Sequence, residues 1–222
     1  MGYDNDWGKR FDSQTGRLEK NAPSSCTVDS LVGPFDVVYA DPPWRYNFPG
    51  TRASATRDYP TMSTDALCDM QPPVAKNAVL YLWATTQSLP HALRVMAAWG
   101  FRYKSSAVWD KGRVATGYWW RGQHELLLVG VRGKVQPPPT HLRRSSVMQF
   151  PRGRHSAKPP EVRDMIAAWF PDARRLEMFA REQAEGWTVW GNEVGANSLS
   201  DGNVLPNSGA GSRRAATAER LG

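Results

Sequence analysis

The chain has 222 residues, 41% of them hydrophobic, and a formal net charge of +7, which suits one globular α/β domain with a good-sized core. No run of about 18 apolar residues is present to span a membrane. Met1 to Arg10 are polar and of mixed charge, without an apolar signal core, so a cytoplasmic location is expected. The only two cysteines, Cys26 and Cys68, lack metal-ligand spacing and read as reduced bystanders, so no metal is expected.

In chain order, residues 1–24 lack periodicity and read as a loose arm ahead of a domain over 25–194. Phe35 to Ala40 is apolar, β-branched and aromatic, the composition of a buried strand. Arg45 to Pro60 follows as a long polar loop, read as a mobile lid. Ser63 is placed to cap a short helix over Thr64 to Met70. Ala78 to Trp83 is a second buried strand. Leu89, Ala92, Leu93, Met96 and Ala97 then recur at helical spacing, closed by Gly100. His91 falls on the polar side of that helix and reads as solvated.

Residues 104–109 make the next strand, and Lys111 to Gln123 a second long loop rich in Gly, Arg and aromatics. Glu125 to Val131 is another buried strand, and Val147 to Phe150 a short one. Pro159-Pro160 opens a helix carrying Val162, Met165, Ile166 and Trp169. Arg175 to Ala180 and Trp187 to Trp190 are the last strands. The Gly-, Asn- and Ser-rich residues 195–222 read as a disordered tail. Strands alternating with helices argue a doubly wound α/β sheet. No G-x-G-x-x-G follows any strand, and neither a P-loop nor G-x-S-x-G is present.

The stretch with chemistry in it is Asp41-Pro42-Pro43-Trp44, directly after the first strand. Two prolines cannot continue a ladder, so the chain must turn out at Asp41, at the sheet edge where α/β proteins bind ligands. Such a trio suits methyl transfer to the exocyclic amine of a base. That nitrogen is a poor nucleophile because its lone pair is delocalised into the ring. Asp41 is expected to accept one N–H and the Pro42 carbonyl the other, drawing the nitrogen towards a tetrahedral shape. Trp44 is expected to offer a stacking face to the base.

Charge points to the same partner. Residues 111–163 hold eleven Lys/Arg against two acids, Glu125 and Glu161. In a chain with ten Trp, this local excess favours nucleic acid.

Taken together, these motifs resemble the adenine N6-methyltransferases typified by the catalytic subunit of the eukaryotic messenger-RNA methylation complex, whose bacterial and phage members are small and stand alone. The resemblance runs from about Phe35 to Val194. Asp41-Pro42-Pro43-Trp44 is the family's signature. Tyr59-x-Thr61-Met62-Ser63, Leu82-Trp83-Ala84-Thr85, Trp99-Gly100-Phe101, Gly117-Tyr118-Trp119, Glu125 to Gly133, His155 to Pro159 and Gly191-Asn192-Glu193 follow in the family's order. The resemblance implies a Rossmann-like methyltransferase sheet whose catalytic motif precedes its cofactor half, with S-adenosylmethionine as cofactor.

By the same resemblance, Lys158, Arg181 and Asn192 match cofactor-binding positions, with Glu193 where the family often has an amide. Asp41 borders the cofactor as well. Asp29 is the candidate for the acidic residue that contacts the cofactor's adenine, and Ala180 departs from a family glycine. Tyr59, Trp83, Trp119 and Glu125 are assigned to the base side. A base half (Asp41, Trp44, Tyr59) and a cofactor half (Lys158, Arg181, Asn192) are expected to be separable. DNA is the preferred substrate. RNA adenine, cytosine N4 in DNA, and a non-catalytic nucleic-acid-binding subunit of the same fold stay open, and the sequence is silent on oligomeric state.

Arg113, Arg121, Arg143, Arg144, Arg152 and Arg154 are the expected phosphate contacts. With about five phosphates met, log affinity should fall against log salt with a slope of roughly −3.5 to −4.5. A filter-binding titration from low to physiological salt measures this, and binding that ignores salt would reject those arginines. Affinity for the free cofactor should change little over the same range.

Overall fold

In the computed structural model, the described residues are 28–45, 61–117, 119–153, 157–191 and 194. The expected arm and tail, most of the Arg45–Pro60 loop, Tyr59, Tyr118, Arg154, Asn192, Glu193 and the side chain of Asp29 lie outside them.

Two-sided burial of the central strands sets the architecture. Along β1 (Phe35–Ala40), Val38 and Ala40 face one core while Val37 and Tyr39 face another. Along β2 (Val74–Ala84), Leu80 and Leu82 join the first core, and Val79, Tyr81 and Trp83 the second. A strand apolar on both faces must be covered on both. α1 (Thr64–Asp69) and α2 (Leu89–Ala98) cover the first face through Leu67, Ala92, Val95 and Met96. α3 (Pro160–Trp169) covers the second through Val162 and Ile166.

The remaining strands are β3 (Arg102–Asp110), β4 (His124–Arg132), β5 (Val147–Gln149), β6 (Arg175–Met178) and β7 (Thr188–Trp190). One seven-stranded sheet results, in the order β5-β3-β4-β2-β1-β6-β7. Every pairing is parallel except those of β4, which runs against both β2 and β3. β1 has β2 on one side and β6 on the other, so strand order reverses at β1. Such a reversal opens a crevice at the carboxyl ends of the strands. The doubly wound expectation holds.

Local signals account for the element ends. Ser63 Oγ accepts the Ala66 N–H at 3.1 Å, capping α1 where the sequence expects it. Gly100, at φ +81°, ends α2 in the left-handed conformation that glycine adopts freely. β6 stops earlier than expected, because Phe179 takes φ +63° and turns the chain out of the sheet. β2 begins earlier than expected: Lys76 and Asn77 are exposed and carry no apolar signal. His91 is exposed, with Nδ1 at 3.0 Å from Thr64 Oγ1, which ties α2 to the start of α1.

Because Ile166 is fully buried between α3 and the sheet, Ile166→Ala should destabilise the domain by about 2–5 kcal/mol. Urea unfolding should show a lower midpoint with an unchanged slope.

Candidate active site

The carboxyl edge of the sheet collects the ends of β1, β3 and β6, and one strand start. Because β4 runs antiparallel, its first residues arrive where its neighbours finish: Ala84 pairs with Leu126 and Trp109 with Glu125. Glu125 is thereby delivered to the same edge as Asp41, which follows β1. Lys111 follows β3 there. Lys158 enters from the segment before α3. A proline at 159 restricts Lys158 to extended backbone.

These four residues form a continuous line of alternating charge. Lys158 Nζ lies 2.6 Å from Asp41 Oδ2 and 3.3 Å from Glu125 Oε2, and Lys111 Nζ lies 2.8 Å from Glu125 Oε1. All are largely withdrawn from water, with side-chain exposures of 13% for Lys158, 25% for Asp41 and 16% for Glu125. The Lys158 ammonium also sits 5.7 Å from the centre of the Trp83 ring, a cation–π contact.

The environment splits the two carboxyls. Burial raises Asp41 above the ordinary aspartate range, and the opposing pull of Lys158 does not cancel it. Burial acts on Glu125 too, but Lys158 and Lys111 together outweigh it and its pKa is lowered. Burial opposes the Lys158 charge, yet Asp41 and Glu125 more than compensate, so its pKa is raised. Two acids driven apart by their surroundings mark a site equipped for polar chemistry.

The turn is built differently from what the sequence suggests. Trp44 is 6% exposed and part of the first core, with its indole N–H donated to the Trp83 carbonyl at 3.0 Å. Its face is packed, not open as a stacking platform. The Pro42 carbonyl accepts the Trp44 N–H at 2.8 Å, closing the turn on itself, and the Pro43 carbonyl accepts Met62 N–H at 2.9 Å. One lone pair on the Pro42 oxygen is therefore committed and one remains for a substrate N–H.

Trp83 is the second correction. It is 0% exposed, donates its indole N–H to the Tyr39 hydroxyl at 2.7 Å and packs edge-on against Trp109. A central strand covered on both faces cannot present this side chain to a base, so Trp83 is the floor of the site. The expected base and cofactor halves adjoin here. Lys158, assigned to the cofactor, is bonded to Asp41 and Glu125, both assigned to the base side.

On the other flank, Phe179 packs edge-on against Trp190 at 5.5 Å, and Ala180 N–H meets the Trp190 carbonyl at 3.0 Å. The tight turn after β6 carries Arg181, whose charge reaches Asp41 and works to lower its pKa. Gly191 follows β7 against the Ala180 backbone, where a Cβ would collide. Asn192 and Glu193 come next but lie outside the described residues.

The family model MT-A70 matches residues 35–193, from the first residue of β1 onward. The chain belongs to the MT-A70 family. It is 33% identical over 186 residues to the type II methyltransferase M.MunI of a Mycoplasma species, covering 74% of this chain and 80% of that protein. It is 29% identical over 189 residues to the N(6)-adenosine-methyltransferase catalytic subunit METTL3 of Homo sapiens, and 28% identical over 211 to the METTL3 subunit of Danio rerio. Those matches cover 79% and 87% of this chain but 31% and 34% of the METTL3 proteins. This MT-A70 chain is a methyltransferase, with the Rossmann-like sheet its motifs imply.

Reading the sequence missed Lys111, which appears there only as the start of a loop. The signal lies in the hairpin register: Trp109 opposite Glu125 sets Lys111 against Gln123, beside the acid. It also missed the Arg163–Glu177 pair, 3.1 Å apart, which ties α3 to β6 beneath the edge. Of the expected phosphate contacts, Arg113, Arg121, Arg143, Arg144 and Arg152 are exposed. Trp119 is exposed in the loop between β3 and β4.

Lys158→Met removes the charge that opposes burial at Asp41. The Asp41 carboxyl should then titrate at a still higher pH, and Glu125 should rise with it. Carbon-13 NMR titration of the side-chain carboxyls in the free protein measures this. An Asp41 midpoint unmoved by the substitution would mean that the ion pair does not set its ionisation.

Proposed function

We propose that this chain transfers the methyl group of S-adenosylmethionine to the N6 amine of adenine in DNA. The observation that carries this reading is Asp41, held at the end of β1 by Lys158 at 2.6 Å, beside a Pro42 carbonyl with one lone pair to spare. The Asp41 carboxylate accepts one amine N–H and the Pro42 oxygen the other, which loosens the nitrogen lone pair from the ring. Lys158 donates to Asp41 Oδ2 at 2.6 Å and works against the upward push of burial on that carboxyl. Glu125 holds Lys158 in turn, and Lys111 holds Glu125.

The donor chemistry at this edge fits the cofactor. Lys158 and Arg181 offer cations to a carboxylate, and Asp41 and Glu125 offer anions to an ammonium or sulfonium; by the family resemblance, Asn192 and Glu193 would meet ribose hydroxyls. S-adenosylmethionine supplies an electrophilic methyl group when bound. The packed indole of Trp44 braces the turn and thereby orients Asp41. The M.MunI match, which spans most of both chains, supports DNA over RNA, as the basic run over 111–163 supports a polyanion.

Asp41→Ala should lower turnover by at least about 10²-fold, by analogy with other positioned proton-handling groups. The fold should persist, because Glu125 still partners Lys158. The assay is methylation of DNA and of RNA with labelled cofactor, followed by nucleoside mass spectrometry. Near-normal methylation by Asp41→Ala would overturn the mechanism. N6-methyladenosine formed in RNA alone would replace DNA by the second reading.

A further inference from the structure

The loop joining β3 to β4 contains the two most exposed large apolar side chains among the described residues, Trp119 at 95% and Trp120 at 89%. They stand on a built support. Lys111 N–H meets the Gln123 carbonyl at 2.9 Å and Ala115 N–H meets the Gly122 carbonyl at 2.7 Å, extending the hairpin beyond the sheet. Arg121 Nε donates to the Ala115 carbonyl at 3.1 Å, bracing the tip. Asp110 Oδ1 accepts both the Gly112 N–H and the Gln123 amide at 2.8 Å, clamping the root. At Gly117 any Cβ would strike the Trp120 carbonyl, so only glycine permits this fold-back.

Seven other described tryptophans are buried or half-buried. A pair of indoles displayed to water on a loop bonded this extensively therefore asks for a ligand. Its neighbours say which kind. Arg113 and Arg121 are exposed on the same loop, in the segment with eleven basic residues and two acids. Polyanion-binding charge interleaved with aromatic faces is how proteins track unpaired nucleic acid, each base stacking on a ring. The loop is also rooted at the reacting edge, between Lys111 and Glu125. Trp120 is five residues from Glu125, so it lies within about 18 Å of it along even a fully extended chain. That is no more than about five stacked nucleotides.

We infer that Trp119 and Trp120 form a stacking clamp for unpaired nucleobases beside the methylated adenine. The inference rests on the nucleic-acid methyltransferase reading above and adds a substrate preference to it. Base faces are hidden in an intact duplex, so the clamp engages a strand that is single or locally opened. Trp120 supplies a second ring next to the one that sequence reading alone assigns to the base side.

The test uses the full chain and a single-stranded DNA dodecamer with one central adenine, its binding followed by tryptophan fluorescence. Trp120→Ala should weaken binding roughly five- to a hundredfold, with the salt slope unchanged because no phosphate contact is lost. Trp120→Phe should recover most of the affinity. Replacing the bases that flank the adenine by abasic positions should weaken the wild type by a similar factor and leave Trp120→Ala nearly unaffected. Equal affinity of wild type and Trp120→Ala would overturn the clamp. So would a Trp120→Ala chain that binds normally but has lost self-association in sedimentation, which would make the indoles a contact between copies. Failure of the activity reading looks different: the wild type would then methylate no nucleic acid at all.

Discussion

A buried ammonium is the constraint on which this site depends. Taking Lys158 out of water disfavours its charge, and Asp41 and Glu125 together more than reverse that effect. Removing one partner of such a buried pair typically costs about 3–5 kcal/mol, since the other charge is left unmatched. The three residues arrive from three places: the end of β1, the start of β4 and the entry to α3. The strand order, the direction of β4 and the backbone before α3 must all be correct for the line of charge to close. The polar chemistry of the site and the register of the sheet are therefore the same requirement.

Aromatic side chains in both cores are polar where they must be. The indole N–H groups of Trp44, Trp83, Trp99, Trp109 and Trp169 donate to the Trp83 carbonyl, the Tyr39 hydroxyl and the Leu67, Phe150 and Leu142 carbonyls, respectively. Among the described residues, no buried side-chain nitrogen or oxygen lacks a partner. Large rings with a single satisfied donor tie neighbouring strands, helices and turns to the core at little polar expense. This alters the meaning of a tryptophan-rich composition. Most of these indoles are fasteners, and the nucleic-acid argument belongs to the exposed pair at the β3–β4 tip.

The direction of β4 does more than any other topological feature to shape the edge. A parallel strand in that position would carry Glu125 to the opposite end of the sheet, and Lys158 would have a single carboxylate. Reversal also makes β3 and β4 neighbours through one hairpin, which projects past the edge and displays Trp119 and Trp120 beside the reacting groups. One antiparallel strand thus supplies both an acid inside the site and an aromatic surface outside it.

The fold class and the location of the site were legible in the residues because their causes are local. Phe35 to Ala40 is apolar on both faces and so must be a covered strand, and Pro42-Pro43 must end it. Ser63 caps, Gly100 closes, and Pro160 opens a helix, each by its own backbone preference. The ordered motifs carried the family for the same reason. What only the tertiary structure decided were contacts between residues far apart in the chain. Lys158 and Asp41, 117 positions apart, are partners because strand order reverses at β1. Trp44 and Trp83 look alike in a motif whether they face a ligand or a core, since an indole suits both. Their burial follows from the helices packed on either side of the sheet, which no local pattern states. The early end of β6 at Phe179 is likewise invisible to composition, because its positive φ answers to the packing against Trp190 and Ala180 and not to any preference of phenylalanine.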